Sequence, residues 1–203
     1  VQSGKQVSVN KGDWDKSQGF EKDNEFNRQW LSLCREKLTE DGTIWISGTY
    51  HNIFSVAQML NELNFRILNC ITWAKTNPPP NLSCKFFTHS TEFILWARKN
   101  KKVPHYYNYE LMKEINGGTQ MRDLWSLPAI AKWEKSCGKH PTQKPLQLIE
   151  KKKNSHYIIA EIPRIILPKH RGCAYASQFA RLDAFFLTFL LFLSELLSAY
   201  VHS

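Results

Sequence analysis

The order of helix-like and strand-like apolar patterns constrains the fold of this chain more than any other feature. Residues 23–38 place apolar side chains at helical spacing, which predicts an amphipathic helix with Phe26, Trp30, Leu33, Cys34 and Leu38 on one face. A β-rich run at 43–47 follows and predicts a buried strand. A second helix at 52–63 and further strands at 67–73 and 93–97 continue the alternation. This order predicts an α/β fold with helices packed on a sheet.

Regular patterns stop at two places. The run Asn-Pro-Pro-Pro-Asn at 77–81 removes backbone donors and fixes φ, so no helix or strand should cross it. Residues 99–139 show no regular period and combine lysines with aromatic side chains. Because cations position a protein on phosphates and flat rings stack on exposed bases, a nucleic-acid contact is one interpretation. A long irregular surface insertion is the other, and composition does not decide between them.

The balance of charge favours an anionic partner. Lysine and arginine number 27 against 18 aspartates and glutamates, which gives a net charge of +9 and a pI of about 9.3. Such an excess suits a polyanion, above all nucleic acid, although a merely solvated basic surface has the same composition. The five cysteines are scattered without a Cys-x-x-Cys pair. This spacing predicts neither a zinc site nor a disulfide framework and fits a reducing cytoplasm.

Both ends of the chain are unusual. No secretory signal peptide opens it, and Val1 in place of methionine suggests a fragment or an unusual start codon. Residues 184–201 are nearly all apolar, but Glu195 and the modest length make them a poor membrane span. No stable membrane association is therefore expected, and a small membrane-tethered protein stays open as an alternative.

The sharpest local signal is the segment 139–150, Lys-His-Pro-Thr-Gln-Lys-Pro-Leu-Gln-Leu-Ile-Glu. Pro145 suits the first turn of a helix, where its missing N–H costs nothing. The Thr142 hydroxyl, the Gln143 amide and the Lys144 ammonium would then converge on a helix N-terminus, as in a site for a carboxylate or a sugar hydroxyl. A capped helix start with an exposed His140 is the structural alternative, and these residues alone do not exclude it.

Five segments, in order, resemble one family. The segment 140–145, His-Pro-Thr-Gln-Lys-Pro, is similar to the signature of bacterial DNA amino-methyltransferases of the beta motif order, which methylate adenine N6 or cytosine N4. Residues 26–46 resemble the family's helix and strand ending in Gly-x-Ile-Trp-Ile, and residues 71–78 resemble its Trp-x-Lys-x-Asn-Pro strand exit. Residues 91–97 resemble its Glu-x-Ile-Leu-Trp strand, and residues 123–125 its Asp-x-Trp element.

The resemblance implies a fold, a cofactor and partners. The fold is the Rossmann-like α/β fold of S-adenosylmethionine-dependent methyltransferases, here incomplete because strands of the cofactor half are missing. It carries an irregular DNA-recognition insertion at about 77–139, which should lie at one rim of the domain as loops. S-adenosylmethionine is the implied methyl donor and double-stranded DNA the implied substrate. A cognate restriction endonuclease and a second copy of the chain, as a homodimer, are further implied partners. The residues implied to bind the cofactor are His140, Pro141, Thr142, Gln143, Lys144 and Pro145. Those implied to contact DNA are Trp73, Lys75, Asn77, Lys99, Lys101, Lys102 and Arg122.

Two departures from the family pattern concern catalysis. The family uses an Asp-Pro-Pro-Tyr loop, whose Asp side chain and a backbone carbonyl accept hydrogen bonds from the target amino group and whose aromatic ring stacks on the extruded base. This tetrapeptide is absent here, and the run at 77–81 does not replace it because Pro80 has no ring face for stacking. The catalytic residues therefore stay unassigned. The Gly-rich cofactor loop is missing as well, since Gly172 is the only glycine after Glu150.

The domain organisation follows from where the resemblance ends. Residues 1–150 are interpreted as the catalytic half of a methyltransferase, and residues 151–203 as an atypical tail. The run Lys-Lys-Lys-Asn at 151–154 is what an A-rich codon run would encode, which suggests a slipped reading frame from Lys152 onward. The predicted function is a site-specific DNA methyltransferase of a restriction-modification system, impaired by truncation. The alternative is a catalytically inactive DNA-binding remnant.

Overall fold

The computed structural model describes residues 18–135 and 143–156. The chain divides into two compact units. The larger unit contains Gln18–Ile130 and Lys144–Glu161, and it holds all the α-helices and strands that the structure describes. In the smaller unit the described residues are 131–135 and Gln143. They form a short 3-10 helix and a hydrogen bond of 2.9 Å from Gln143 Nε2 to the Glu134 carbonyl oxygen.

Four strands of the larger unit form one sheet. They are β1 (Thr43–Gly48), β2 (Arg66–Lys75), β3 (Thr91–Arg98) and β4 (Leu124–Leu127), and their spatial order is β1-β3-β2-β4. β3 runs antiparallel to both β1 and β2, whereas β4 runs parallel to β2. The carboxyl ends of β1, β2 and β4 therefore share one edge of the sheet, which we call the carboxyl edge. β3 begins at this edge.

Two amphipathic helices cover one face of the sheet. α1 (Phe20–Lys37) and α2 (Ile53–Glu62) contribute Leu31 and Leu60, which are completely buried in a cluster with Leu95 of β3. Burial of such a leucine side chain stabilises the fold by about 1.5–3 kcal/mol. Because strand side chains alternate between faces, the neighbours of Leu95 in β3 belong to the other face.

The opposite face carries tryptophans and the last helix. Trp45 of β1 stacks on Trp96 of β3 with ring centroids 5.0 Å apart, and it lies 6.3 Å from Trp125 of β4. α4 (Leu146–His156) inserts Leu148 into the apolar cluster of this face. The result is three layers of helices, sheet and helix, in agreement with the α/β fold predicted from the sequence.

The predicted elements between residues 23 and 97 are confirmed, and their ends lie within three residues of the expected positions. The prediction of irregular structure over 99–139 is wrong in two places, α3 (Tyr109–Ile115) and β4. α3 has seven residues and β4 has four, which is too short to show a hydrophobic period. Tertiary contacts hold them instead: the Asn108 N–H donates to the Ser155 carbonyl oxygen at 2.9 Å, and β4 pairs with β2.

The position of β3 corrects a second prediction. The sequence predicts that residues 77–139 lie at one rim of the domain as loops, but β3 lies inside the sheet, between β1 and β2. Its eight residues, at about 3.3 Å each, separate its two ends by roughly 26 Å. Residues 76–90 therefore lie at the carboxyl edge, and residues 99–102 lie at the opposite edge.

α4 crosses the domain boundary that the sequence predicts between residues 150 and 151. The helix continues without a break to His156. The apolar segment 184–201 lies outside the described residues, as does most of the stretch assigned to a slipped reading frame. Sequencing the gene tests that assignment, because the alternative frame should encode a Gly-rich loop. Among the helices described up to residue 156, none combines the length and the apolar character that crossing a membrane requires.

His156 closes the second face of the sheet at the end of α4. Its Nε2 lies 2.5 Å from Thr43 Oγ1 and 3.3 Å from the donor Trp45 Nε1, and its Nδ1 lies 2.7 Å from Ser155 Oγ. Burial lowers the pKa of His156 to about 4, although a hydrogen bond with the backbone of Lys152 acts in the opposite direction. The neutral ring is therefore the form that the folded protein holds.

The protein should lose stability as the pH falls from about 6.5 to about 4, because His156 takes up a proton in the unfolded chain but not in the fold. The contribution is complete above pH 6.5, and nothing further is lost below pH 4. In urea unfolding, His156→Gln should flatten the pH dependence in this window. His51→Gln, at an exposed position, should keep the wild-type slope. Equal slopes in all three proteins would contradict the assignment.

Candidate functional site

Polar and charged side chains meet at the carboxyl edge on the face that α4 covers. In open α/β sheets, ligands bind outside the carboxyl ends of the strands, so this edge is the expected location of a site. The contributing elements are β1, β2, the start of β3 and the segment that leads into α4. The side chains are Ser47, Lys75, Glu92, Lys144 and Lys152.

One carboxylate at this edge is shared by two lysines. Lys75 Nζ lies 2.7 Å from Glu92 Oε1, and Lys144 Nζ lies 2.7 Å from Glu92 Oε2. The side chains are only 18%, 26% and 14% exposed for Lys75, Lys144 and Glu92. We call this arrangement the lysine–glutamate bridge. It ties β2, β3 and the start of α4 together where water is largely excluded.

The buried ring of Trp73 packs against the inner side of the bridge. Its ring is 3% exposed, and its Nε1 donates to the Leu127 carbonyl oxygen at 3.0 Å. Lys75 Nζ lies 5.2 Å and Lys144 Nζ 6.0 Å from the ring centroid, within the range of cation–π attraction. Trp73 therefore supports the two ammonium groups from below, and its ring is not open to solvent.

A third lysine extends the positive charge toward β1. Lys152 Nζ donates to Ser47 Oγ at 2.8 Å. Burial, assisted by repulsion from Lys144, lowers the pKa of Lys152 to about 8, while attraction from Glu92 acts against this shift. At neutral pH most of the Lys152 side chains still carry their proton. Three ammonium groups then face one carboxylate, which leaves these four side chains with an excess of two positive charges.

The ionisation of Glu92 is tied to its two partners. Burial by itself would raise the pKa of Glu92, but the hydrogen bonds and positive charges of Lys144 and Lys75 outweigh burial and lower it. The carboxylate is thus charged throughout the physiological range. Because both of its oxygens are engaged, the spare donors of the lysines, rather than the acid, are available to a ligand.

The residues predicted to bind the cofactor are only partly described. His140, Pro141 and Thr142 lie outside the described residues, and Gln143 belongs to the smaller unit. Pro145 precedes α4 as the sequence predicts, and its carbonyl oxygen accepts from the Leu148 N–H at 3.1 Å. Lys144 is the member of this set that the structure brings to the carboxyl edge.

The residues predicted to contact DNA divide between two edges of the sheet. Trp73, Lys75 and Asn77 lie at the carboxyl edge, where Asn77 Oδ1 accepts from the Ala129 N–H at 2.7 Å. Lys101 and Lys102 follow β3 at the opposite edge and are exposed.

Lys99 and Arg122 complete that set. Lys99 Nζ donates to the Leu38 carbonyl oxygen at 2.8 Å and pairs with Glu40 at 3.0 Å, so it anchors the end of α1. Arg122 is exposed ahead of β4. The structure therefore does not gather the seven residues into one surface.

Sequence reasoning missed Glu92, Lys152 and Ser47. A signal was present for Glu92, because it is an acid at the start of an otherwise apolar strand, on the same face as Ile94 and Trp96. A charged side chain at such a position is almost never left unpaired. Lys152 gave no such signal, since it stands in a run of three lysines and only the helix shows which one turns inward.

The donors at the carboxyl edge fit part of S-adenosylmethionine, the cofactor that the resemblance implies. The Lys144 and Lys152 ammonium groups suit a carboxylate or hydroxyl group. A cavity of about 210 Å³ lies beside β4, lined among others by Met121, Arg122 and Lys151. Ligand pockets usually measure about 300–1,000 Å³, so this cavity alone is small for a whole S-adenosylmethionine molecule.

Comparison with known proteins places the chain in a family. The family model described as DNA methylase, of the N6/N4 type, matches residues 3–152. The chain belongs to this DNA methylase family. The match includes all three segments of the lysine–glutamate bridge.

Curated members of the DNA methylase family are similar over most of this chain. The type II methyltransferase M2.MboI of Moraxella bovis is 58% identical over 144 residues, which are 71% of this chain and 53% of that protein. M2.DpnII of Streptococcus pneumoniae is 61% identical over 149 residues, which are 73% and 56% of the two chains. The chain thus spans about half the length of the curated relatives it matches.

Solved structures agree with the fold. The structure of the M1.HpyAVI-SAM complex matches with a TM-score of 0.50 and 26% identity, covering 66% of this chain and 61% of that one. The cytosine-N4-specific PvuII DNA methyltransferase matches with a TM-score of 0.55 and 17% identity, covering 71% and 59%. The first is similar in sequence as well as fold, and the second shares the fold. The incomplete methyltransferase fold predicted from the sequence is confirmed.

Proposed function

We propose that the complete protein transfers the methyl group of S-adenosylmethionine to the exocyclic amino nitrogen of adenine or cytosine in DNA. The observation that carries this proposal is the lysine–glutamate bridge, which joins three family-like segments, 71–78, 91–97 and 140–145, at one edge of the sheet. Support comes also from the relatives, which are named type II methyltransferases, and from M1.HpyAVI, which was solved with SAM.

The bridge suggests that its two lysines bind different ligands. S-adenosylmethionine, when bound, supplies a methyl group on a positively charged sulfur. Lys144, with the neighbouring residues 140–145, would orient the polar end of the cofactor through charge-assisted hydrogen bonds. Lys75 and Asn77, at the end of β2, would face the DNA. Glu92 holds both lysines in place, and Trp73 beneath them keeps water out.

A second set of DNA contacts is proposed at the opposite edge of the sheet. Lys101, Lys102 and Arg122 are exposed there and would lie on phosphates, which position a duplex without reading its sequence. Lys99 would support this edge through its bonds to Leu38 and Glu40. The recognition of a particular DNA word would then fall to the connections between the strands.

The same proposal implies a cellular location and protein partners. A methyltransferase of a type II system would act in the cytoplasm, where the DNA is, beside a cognate restriction endonuclease that cleaves the unmethylated word. A homodimer would double the basic surface offered to a duplex. Size-exclusion chromatography coupled to light scattering of the complete protein tests the dimer directly.

The role of Lys144 is tested in a version of the chain completed with the segments that M2.DpnII carries outside the matched region. Lys144→Ala should weaken cofactor binding about tenfold or more, because a charge-assisted hydrogen bond is lost. Lys153→Ala, at an exposed position of α4, is the matched control and should bind normally. Calorimetry with S-adenosylmethionine measures both. Wild-type affinity in the Lys144 variant would remove that residue from the cofactor site.

A further inference from the structure

Four aromatic side chains cluster at the carboxyl edge outside the lysine–glutamate bridge. The Tyr50 and His89 rings stack with centroids 4.9 Å apart and an angle of 18° between their planes. The His51 ring centroid lies 3.8 Å from that of Tyr50, and the Phe86 ring lies 5.3 Å from that of His89. We call these four residues the aromatic platform.

The fold places the platform at the same edge of the sheet as the bridge. Tyr50 follows the end of β1, and His89 precedes the start of β3. These two strands are antiparallel neighbours, with Gly48 paired to Phe93, so both residues lie at the carboxyl edge. Ser47 and Glu92 belong to the charged cluster and stand three positions from Tyr50 and His89 along the chain.

The platform is open to solvent. Tyr50 is 45% and Phe86 57% exposed, and the adjacent Phe87 is 96% exposed. The apolar clusters on the two faces of the sheet contain none of the four platform residues. Aromatic side chains gathered at one exposed place, instead of scattered singly, are typical of a binding surface.

The charge beside the platform selects the class of partner. Lys75, Lys144 and Lys152 exceed Glu92 by two positive charges, and Lys85 is exposed in the same connection as Phe86. Flat exposed rings next to ammonium groups are the combination with which proteins hold unpaired nucleotides, the bases stacking on the rings and the phosphates lying on the cations.

We propose that the aromatic platform stacks on an unpaired base of a DNA strand whose phosphates lie on the lysines of the carboxyl edge. The inference rests on the proposed function in one respect, that DNA is the partner. It requires neither the cofactor nor methyl transfer. It adds Tyr50, His89 and Phe86 to the residues predicted to contact DNA.

The experiment compares two oligonucleotides of equal length in fluorescence anisotropy with the 203-residue chain. One is a single strand with bases, and the other is an abasic strand that keeps the deoxyribose-phosphate backbone. Each stacked base adds a factor of about five or more in affinity, so the chain should bind the strand with bases at least fivefold more tightly. Tyr50→Ala and Phe86→Ala should each reduce this preference while the abasic strand binds as before. Phe20→Ala, 73% exposed on α1, is the matched control and should keep the preference.

The outcomes separate stacking from the other possibilities. Equal binding of the two strands by the wild-type chain, or no binding of either, would overturn the proposal. A preference that survives both platform substitutions would overturn it as well, and circular dichroism verifies that the variants are folded. The methylation test of the completed protein has its own readout. If the completed protein transfers no methyl group but the chain still prefers the strand with bases, the proposed reaction is contradicted. The proposed role of the platform is then still supported.

Discussion

Incubated with S-adenosylmethionine and duplex DNA, the 203-residue chain should transfer no methyl group above background. The family resemblance implies that transfer requires an Asp-Pro-Pro-Tyr loop to hold the target amino group in line with the methyl group, and the chain contains no such tetrapeptide. Positioning of reactants supplies roughly 7–11 kcal/mol of a barrier, so its loss slows transfer by about 10⁵- to 10⁸-fold. Incorporation of tritiated methyl groups into DNA measures the rate.

The control is a version lengthened with the segments of M2.DpnII that lie outside the matched region. It should regain transfer, and M2.DpnII itself provides the positive control on the same DNA. Robust methylation by the 203-residue chain alone would contradict the prediction and would make the run at 77–81 a candidate catalytic loop again. A lengthened protein that binds DNA and cofactor but remains inactive would favour the DNA-binding remnant instead.

Glu92→Gln should lower the free energy of unfolding by about 1–3 kcal/mol, less than breaking a fully buried ion pair because the three side chains are still 14–26% exposed. The amide keeps the shape of the side chain but leaves Lys75 and Lys144 without their shared counter-charge. Because the pKa of Glu92 is lowered in the fold, its contribution is present above its ordinary value of 4.5 and is lost as the pH falls below that. Urea unfolding at pH 7 and pH 3 measures both effects.

Two further variants show whether the loss belongs to the bridge. Adding Lys75→Met to Glu92→Gln should recover part of the stability, since one unpaired ammonium group is removed. Glu62→Gln breaks the exposed ion pair with Arg28, whose atoms lie 2.7 Å apart, and it should change little because surface pairs are screened by water. If Glu62→Gln were as damaging as Glu92→Gln, the special role of the bridge would be refuted.

Local patterns were enough to predict the helices and strands up to residue 97. An apolar period of 3.6 or 2 is a property of neighbouring residues, so α1, α2 and the first three strands could be read directly. α3 and β4 could not, because their few residues are ordered by contacts with α4 and β2. The period of the helix also continued past residue 150, where the change in composition had indicated a boundary.

The sequence names members of the candidate site only where the family resemblance supplies them. Lys75 and Lys144 were identified in that way, but their meeting on one carboxylate depends on β3 lying antiparallel between β1 and β2. Pairing order is non-local information that no single segment contains. For the same reason the resemblance places Lys99 in one set with Lys75, although β3 carries Lys99 to the other edge. Trp73 was predicted to contact DNA, and only the register of β2 reveals that its ring is buried.

Sharing one carboxylate has a thermodynamic consequence for the two lysines. A ligand that draws Lys144 away from Glu92 leaves that carboxylate entirely to Lys75, and so changes how strongly Lys75 can attract a second ligand. Linkage requires the reverse effect to be of equal size, so the second ligand must change the affinity for the first by the same factor. The proposed cofactor contact and the proposed DNA contact at this edge therefore need no moving domain to influence each other. One glutamate shared by two lysines is sufficient to couple the two binding events.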